Sequence, residues 1–267
     1  MNNLFSLENK TVIVTGACGL LGRQHCKALA AAGANVVAID LNADAVEALA
    51  EQLGEQHTGL KVSVVNKNEL ETACNFILNV YGSIDVLVNN AAINDMFENP
   101  AMAAEQSKFE NYPLDMWESS LKVNVTGTFL PAQVFGKVMA AQGKGSIINI
   151  ASTYGVVGPD QSIYRNGEDQ TFFKSPSYPT TKGAILNFTR FLAAYWGNKG
   201  VRVNTLSPGG VQNGQDDWFV KNYSYKTALG RMAQPDDYHG AVVFLASDAS
   251  RYMTGANLIV DGGWTAV

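Results

Sequence analysis

Short runs of consecutive β-branched and aliphatic residues alternate along this chain with longer stretches whose apolar residues recur every three or four positions. The runs suit strands buried on both faces of a parallel sheet, and the stretches suit helices laid against it. The pattern predicts strands at 11–14, 35–39, 61–65, 85–89, 145–152, 202–206 and 256–261. Between them it predicts helices at 23–32, 43–53, 68–81, 113–142, 178–198 and 236–247. Val46, Leu49 and Leu53 form the apolar face of the second helix, and Leu70, Phe76, Ile77 and Val80 that of the third.

Three segments interrupt the rhythm. Residues 93–112 are polar and weakly patterned, and predict a surface loop with one or two helical turns. Residues 153–176 hold three glycines and two prolines and are long for a connection, a length that points to function or mobility. Residues 211–232 mix Trp218, Phe219, Tyr223 and Tyr225 with polar side chains, as a mobile substrate lid would. Within 113–142, Pro131 predicts a kink or a lost hydrogen bond. Asn124, between two valines, predicts a polar side chain held against the sheet edge.

Seven strand patterns alternate with helix patterns without a linker, repeat or low-complexity segment, so residues 1–267 form a single doubly wound α/β domain. With 46% hydrophobic and 16% charged residues, the 267-residue chain has ample material for a core. Its net charge of −5, without a basic stripe, argues against nucleic acid as a partner. Residues 1–8 lack the basic and apolar regions of a signal peptide, and no apolar stretch is long enough to span a bilayer. Cys18, Cys26 and Cys74 suit a reducing cytoplasm. Cys18 and Cys26 flank a helix start that can activate a thiol, though small packing residues also fit there. His25, His57 and His239 show no ligand spacing, so no metal site is predicted.

The chemistry begins at residues 15–22, a glycine-rich turn between the first strand and the first helix. Gly16 permits the tight turn, Gly19 admits a pyrophosphate to the backbone, and Gly22 lets helix and strand approach. Free N–H groups at the helix start then face the phosphates, a Rossmann-type site. Asp40 ends the next strand about twenty residues on, where a carboxylate accepts from the adenosine ribose and repels a 2′-phosphate. No Arg or Lys follows in 41–44, so NAD is expected in preference to NADP. A purely structural βαβ turn is the alternative. At the next sheet edge, Asn90, Ala91 and Ala92 place small and amide side chains where open α/β folds bind ligands.

Tyr178 and Lys182 lie four residues apart on one helix face. A phenol of pKa about 10 is a poor base at neutral pH, but an adjacent ammonium stabilises its phenolate. Ser152, ending its strand, can donate to a reacting oxygen. In a chain with ten tyrosines this spacing alone also describes a surface Tyr beside a solvated Lys.

Together these elements resemble the short-chain dehydrogenase/reductase superfamily in its compact single-domain form. The likeness runs from about residue 10 to 264. It includes the glycine turn, residues 89–92, Asn124, Ser152, Tyr178 and Lys182, residues 207–210, and the tail 261–264. It implies a seven-stranded parallel sheet of order 3-2-1-4-5-6-7, with Tyr178 as general acid/base and Ser152 polarising the substrate oxygen. It also implies that Lys182 binds the nicotinamide ribose and that Asn124 holds a water of a proton relay. Cofactor contacts are expected at Gly16, Cys18, Gly19, Leu20, Leu21, Asp40, Asn66, Asn90, Ala91, Ala92, Tyr178, Lys182, Pro208, Gly209 and Val211. The resemblance further implies a homo-oligomer, tetramer or dimer, with the Tyr178 helix, the Asn124 helix and the last strand at its contacts.

Four features depart from the family pattern. The glycine spacing is nearer that of the superfamily's extended branch. Asn66 replaces the usual aspartate beside adenine, and Ala92 replaces a glycine. The Ser152–Tyr178 gap is about twice the usual length, with Tyr164, Arg165, Glu168, Asp169, Phe172 and Phe173 in the insertion. Arg165 can meet a substrate anion there, or sit on a solvated flap. The insertion, with residues 109–114 and 212–215, is similar to a subgroup found with bacterial surface-sugar and flagellin modification. The expected activity is NAD(H)-dependent interconversion of a secondary alcohol and a ketone on a sugar or sugar-derived substrate. A polyol, an acyl thioester, or a non-catalytic nucleotide-sensing role are the alternatives.

Overall fold

A computed structural model describes residues 3–94 and 100–266. The chain opens with β1 (Thr11–Thr15), α1 (Leu20–Ala31), β2 (Asn35–Asp40) and α2 (Ala43–Leu53). It continues with β3 (Thr58–Lys61), α3 (Lys67–Tyr81), β4 (Val86–Asn89), α4 (Pro100–Gln106), α5 (Leu114–Ser120) and α6 (Gly127–Gln142). Next come β5 (Gly145–Ile150), α7 (Thr153–Val156), β6 (Arg165–Asn166), β7 (Asp169–Gln170) and α8 (Ser177–Trp196). It closes with β8 (Val201–Pro208), α9 (Asp217–Tyr225), α10 (His239–Ala246) and β9 (Asn257–Val260). Seven strands form one sheet in the order β3-β2-β1-β4-β5-β8-β9, every neighbouring pair parallel. This is the expected doubly wound architecture and strand order.

Alternation along β1 distributes its side chains to two cores. Val12 and Val14 pack with Leu29 of α1 and with Val242 and Leu245 of α10. Ile13 packs on the opposite face with Ile77 of α3, Phe135 of α6 and Leu192 of α8. Each fully buried aliphatic contributes roughly 1.5–3 kcal/mol relative to exposure. Gly136 makes room for Trp196 of α8 against α6, since a Cβ there would lie 2.5 Å from that ring.

The third strand departs from expectation: it spans Thr58–Lys61, not 61–65. Its sequence, Thr-Gly-Leu-Lys, carries no apolar run because the strand is an edge, and Gly59 passes so close to α2 that a Cβ would meet Val46 O. The valines that suggested the later strand serve elsewhere. Val62 N donates to Asp40 O at 3.0 Å as the chain turns away, and Val62 and Val64 line the groove described below.

The predicted helix at 113–142 is α5 and α6 joined by a π-helical turn, Leu121–Thr126. The irregularity centres on Asn124, ahead of Pro131, which sits buried inside α6. Of the loop expected at 93–112, residues 95–99 lie outside the described residues; the rest holds α4 and a 3-10 turn, Phe109–Asn111. The expected 236–247 helix begins only at His239.

The insertion at 153–176 is built structure. It contains α7, a 3-10 turn (Gln161–Tyr164) and an antiparallel hairpin, β6–β7, whose turn uses Gly167 at φ 65°. Ile163 and Tyr164 of the insertion pack with Tyr223, Met232 and Trp264, joining it to the 211–232 segment in one aromatic cap. Asn222 Nδ2 of α9 fastens the hairpin by donating to Ile163 O and Arg165 O, at 3.2 and 2.8 Å.

Candidate active site

The carboxyl ends of β1, β2 and β4 enclose a groove of about 580 Å³. Gly16, Cys18, Gly19, Leu20, Leu21, Asp40, Asn90, Ala91 and Ala92 all line it. The turn has no room for side chains: a Cβ on Gly16 would lie 2.7 Å from Ala91 Cα, and one on Gly22 would lie 2.1 Å from Gly16 O. Gly19 caps α1 without any side-chain hydrogen bond, which leaves the first-turn amides of a twelve-residue helix directed at the groove.

Asp40 is held ready at the far end. Its Oδ2 accepts from Cys18 N at 2.9 Å, and its Oδ1 accepts from Leu41 N at 2.8 Å and Asn42 N at 3.3 Å. Three backbone donors fix the position of the carboxylate. The groove therefore fits a dinucleotide: amide donors for the phosphates, a carboxylate for a ribose diol, and Val62 and Val64 as apolar walls for a base.

Several expected contacts take other roles. Asn66 does not line the groove; its Oδ1 caps α3 by accepting from Asn68 N and Glu69 N, and its Nδ2 donates to Glu69 Oε1 at 2.6 Å. Asn90 braces the sheet edge, donating through Nδ2 to Thr15 O and Gly16 O, each at 3.0 Å. Thr15, which the sequence reading passed over, is the hub of that brace, its Oγ1 accepting from Asn90 N and Ala91 N at 3.1 Å. Arg23, also passed over, borders the groove with Nε donating to Cys18 O at 2.9 Å. At the end of β8, Pro208 O accepts from Thr153 Oγ1, and Val211 forms an isolated bridge with Ala233. A Cβ on Gly209 would lie 2.8 Å from Asp261 Cα.

Beyond the groove, β5 and α8 bring Ser152, Tyr178 and Lys182 together. Burial pushes the Tyr178 phenol above its ordinary pKa, and a hydrogen bond with Ser152 draws it partly back. Ser152 also accepts from Tyr154 N at 3.2 Å, which fixes its rotamer at the start of α7. Lys182 is buried, donates to Ile150 O at 2.8 Å, and is pushed down to about 8 by desolvation, so it remains an ammonium at neutral pH. A phenol, a hydroxyl and an ammonium so arranged can exchange a proton with an oxygen lying between Ser152 and Tyr178.

Asn124 is fully buried beneath this cluster. Its Oδ1 accepts from Ile93 N at 2.8 Å, while its Nδ2 donates to Ile93 O at 3.0 Å and Thr181 Oγ1 at 3.1 Å. It thus ties the end of β4 to the Tyr178 helix. A second buried chain runs under the site: Asn89 Nδ2 donates to Asn149 Oδ1, and Asn149 Nδ2 donates to Thr189 Oγ1, both at 2.9 Å. Arg165 stands on the exposed hairpin, its Nε donating to Gln170 Oε1 at 2.9 Å. Burial pushes the Cys26 thiol up to about 12, and burial with Asp40 nearby raises Cys18, so neither is an activated nucleophile.

A family model described as enoyl-(acyl carrier protein) reductase matches residues 16–265. A D-threitol dehydrogenase of Mycolicibacterium smegmatis is 36% identical over 269 residues, covering 98% of this chain and 95% of that protein. A 3-alpha-(or 20-beta)-hydroxysteroid dehydrogenase of Mycobacterium tuberculosis is 34% identical, covering 97% and 91%. Among solved structures, a gluconate 5-dehydrogenase from Burkholderia cenocepacia in complex with NADP and tartrate matches with a TM-score of 0.86 at 29% identity, covering 99% and 98%. The chain belongs to the short-chain dehydrogenase/reductase superfamily. It is a nicotinamide-dependent oxidoreductase that acts on CH–OH groups of a small-molecule substrate. Among the described residues no helix is long and apolar enough to cross a membrane.

Proposed function

We propose that the substrate is a polyhydroxy compound, a sugar or sugar-derived polyol, and that NAD(H) is the preferred cofactor. The carrying observation is the polar setting of the Tyr178 ring: Ser152 bonds its phenol, and the Lys174 ammonium stands 4.4 Å from its centroid. Such polar groups can hold neighbouring hydroxyls of a polyhydroxy chain, while the aromatic cap of Tyr164, Tyr223 and Trp264 covers its carbon skeleton. The full-length similarity to a D-threitol dehydrogenase supports the same class.

In the oxidising direction Tyr178, as phenolate, takes the carbinol proton while Ser152 holds the oxygen. Lys182 stabilises the phenolate, and Asn124 anchors the relay that returns the proton to solvent. A nicotinamide held in the groove would supply the acceptor for the hydride of the carbinol carbon. Asp40 supports NAD because a 2′-phosphate would meet a carboxylate already fixed by three amides. We assign the working form to a cytoplasmic homo-oligomer, dimer or tetramer, supported by the exposed aromatic face of α6 and α8 and by free thiols at Cys18, Cys26 and Cys74.

The test is NADH formation from NAD+ across tetritols, hexitols, gluconate, a hydroxysteroid and a hydroxyacyl thioester. Turnover of a polyol is expected, falling by about 10²–10⁴ in Tyr178→Phe. Turnover surviving in Tyr178→Phe, confined to the steroid or thioester, or as efficient with NADP+ as with NAD+, would overturn the corresponding part of this reading. A chain that binds NADH but is inert in both directions would instead be a nucleotide sensor.

A further inference from the structure

The insertion before α8 ends in a segment whose hydrogen bonds converge on Lys174. Gln161 grips its backbone from both sides: Lys174 N donates to Gln161 Oε1 at 2.8 Å, and Gln161 Nε2 donates to Lys174 O at 3.2 Å. One residue earlier, Phe173 N donates to Ser107 Oγ at 2.9 Å. The Lys174 ammonium donates to Asn94 Oδ1, just past the Ile93 backbone that Asn124 clamps. From there it stands 4.4 Å from the centroid of the Tyr178 ring, whereas Lys182 Nζ stands at 5.7 Å. Of these two cations, the one supplied by the insertion is the nearer.

We propose that Lys174 is a positioning residue for proton transfer: its ammonium, held over the Tyr178 ring by Asn94 while Gln161 fixes its backbone, stabilises the phenolate and lowers the pH at which Tyr178 becomes a base. The proposal rests on the reading of Tyr178 as the proton-transfer group. A phenolate spreads its charge into the ring, so a cation over the ring face gains more from the ionised form than from the neutral one. Lys182 already carries a structural bond to Ile150 O and is heavily desolvated. A second, less buried cation completes the compensation for the burial that lifts Tyr178.

Among the described residues, titratable groups of the insertion and of α9 also act on Tyr178. Tyr164 and Tyr223 both couple to it, and burial lifts both, Tyr223 to about 12. They stay neutral through the working range, while the Lys174 and Lys182 ammoniums lie 4.4 and 5.7 Å from the ring centroid.

The test follows Tyr178 directly in the NAD+ complex, by NMR of ring-labelled tyrosine, with the signal identified by its loss in Tyr178→Phe. Lys174→Met is expected to raise the Tyr178 midpoint by roughly one pH unit. Lys174→Arg is expected to keep it, and Asn94→Ala, which removes one partner of the ammonium, to give an intermediate rise. In turnover, Lys174→Met then loses about tenfold in kcat below the new midpoint and recovers at higher pH. Equal midpoints in wild type and Lys174→Met overturn the proposal, as does a change in KM alone with an unmoved pH profile. Failure of the Tyr178 reading is separate: it shows as turnover surviving in Tyr178→Phe.

Discussion

At the scale of single residues, chemistry was legible wherever a side chain's type is its function. Asp40 lines the groove, and Ser152, Tyr178 and Lys182 come together beside it, and each was singled out by its residue type. What hid was the use of polar side chains to hold backbone: Asn66 caps the open N–H groups at the start of α3, and Asn90 braces Thr15 at the sheet edge. His25 is a sharper case. It is fully buried on α1 against α10, with neither ring nitrogen hydrogen-bonded among the described residues, and desolvation followed by the nearby His239 pushes it down to about 4. The unfolded chain, with an ordinary histidine near 6.5, binds a proton that the folded chain refuses between pH 6.5 and 4. Stability is therefore full above pH 6.5, falls as pH drops towards 4, and levels off below, a loss of roughly 3 kcal/mol from this group. Thermal melts of His25→Leu across that window are expected to show a shallower slope than wild type; an identical slope would assign the acid sensitivity elsewhere.

At the scale of elements, periodicity located nearly every helix and strand but misjudged the irregular ones. The edge strand β3 was missed because Thr-Gly-Leu-Lys buries little, and the pattern settled on valines that wall a groove. The hairpin β6–β7 was also missed, although Asn166-Gly167 is a turn signal that could have revealed it. The π-helical turn at Leu121–Thr126 has no composition of its own. It exists because Asn124 must face both Ile93 and Thr181, and such bulges often mark functional positions. Asn124→Leu keeps the volume but strands the Ile93 amide and carbonyl. The expected cost is about 2–4 kcal/mol, read as a Tm lower by roughly 5–10 °C. An unchanged Tm would mean that the Ile93 segment finds other partners.

At the scale of the whole molecule, an unpaired surface stands out. Phe129, Phe191 and Tyr195 are 42%, 59% and 58% exposed on one face of α6 and α8, beside a groove they share with Phe188 and Trp196. An aromatic face of this kind is costly to leave in water and suits a second copy of the chain. Phe191→Glu with Tyr195→Glu is expected to lower the assembly by at least one step in light scattering, with the fold retained by circular dichroism. A wild-type monomer, or a mutant of unchanged mass, would place the contact elsewhere.

The sequence alone determined the alternation of strands and helices, the glycine turn, and which side chains are the candidates for proton transfer. These depend on local periodicity and on side-chain chemistry, both written residue by residue. Tertiary structure alone decided how the insertion folds, where Asn66 and Asn90 spend their hydrogen bonds, and that Lys174 stands over Tyr178. Those outcomes depend on which distant backbone groups remain unsatisfied once the sheet has closed. Ser107, Gln161 and Asn94 reach Lys174 and its neighbour from separate parts of the chain, and only packing brings them to one place.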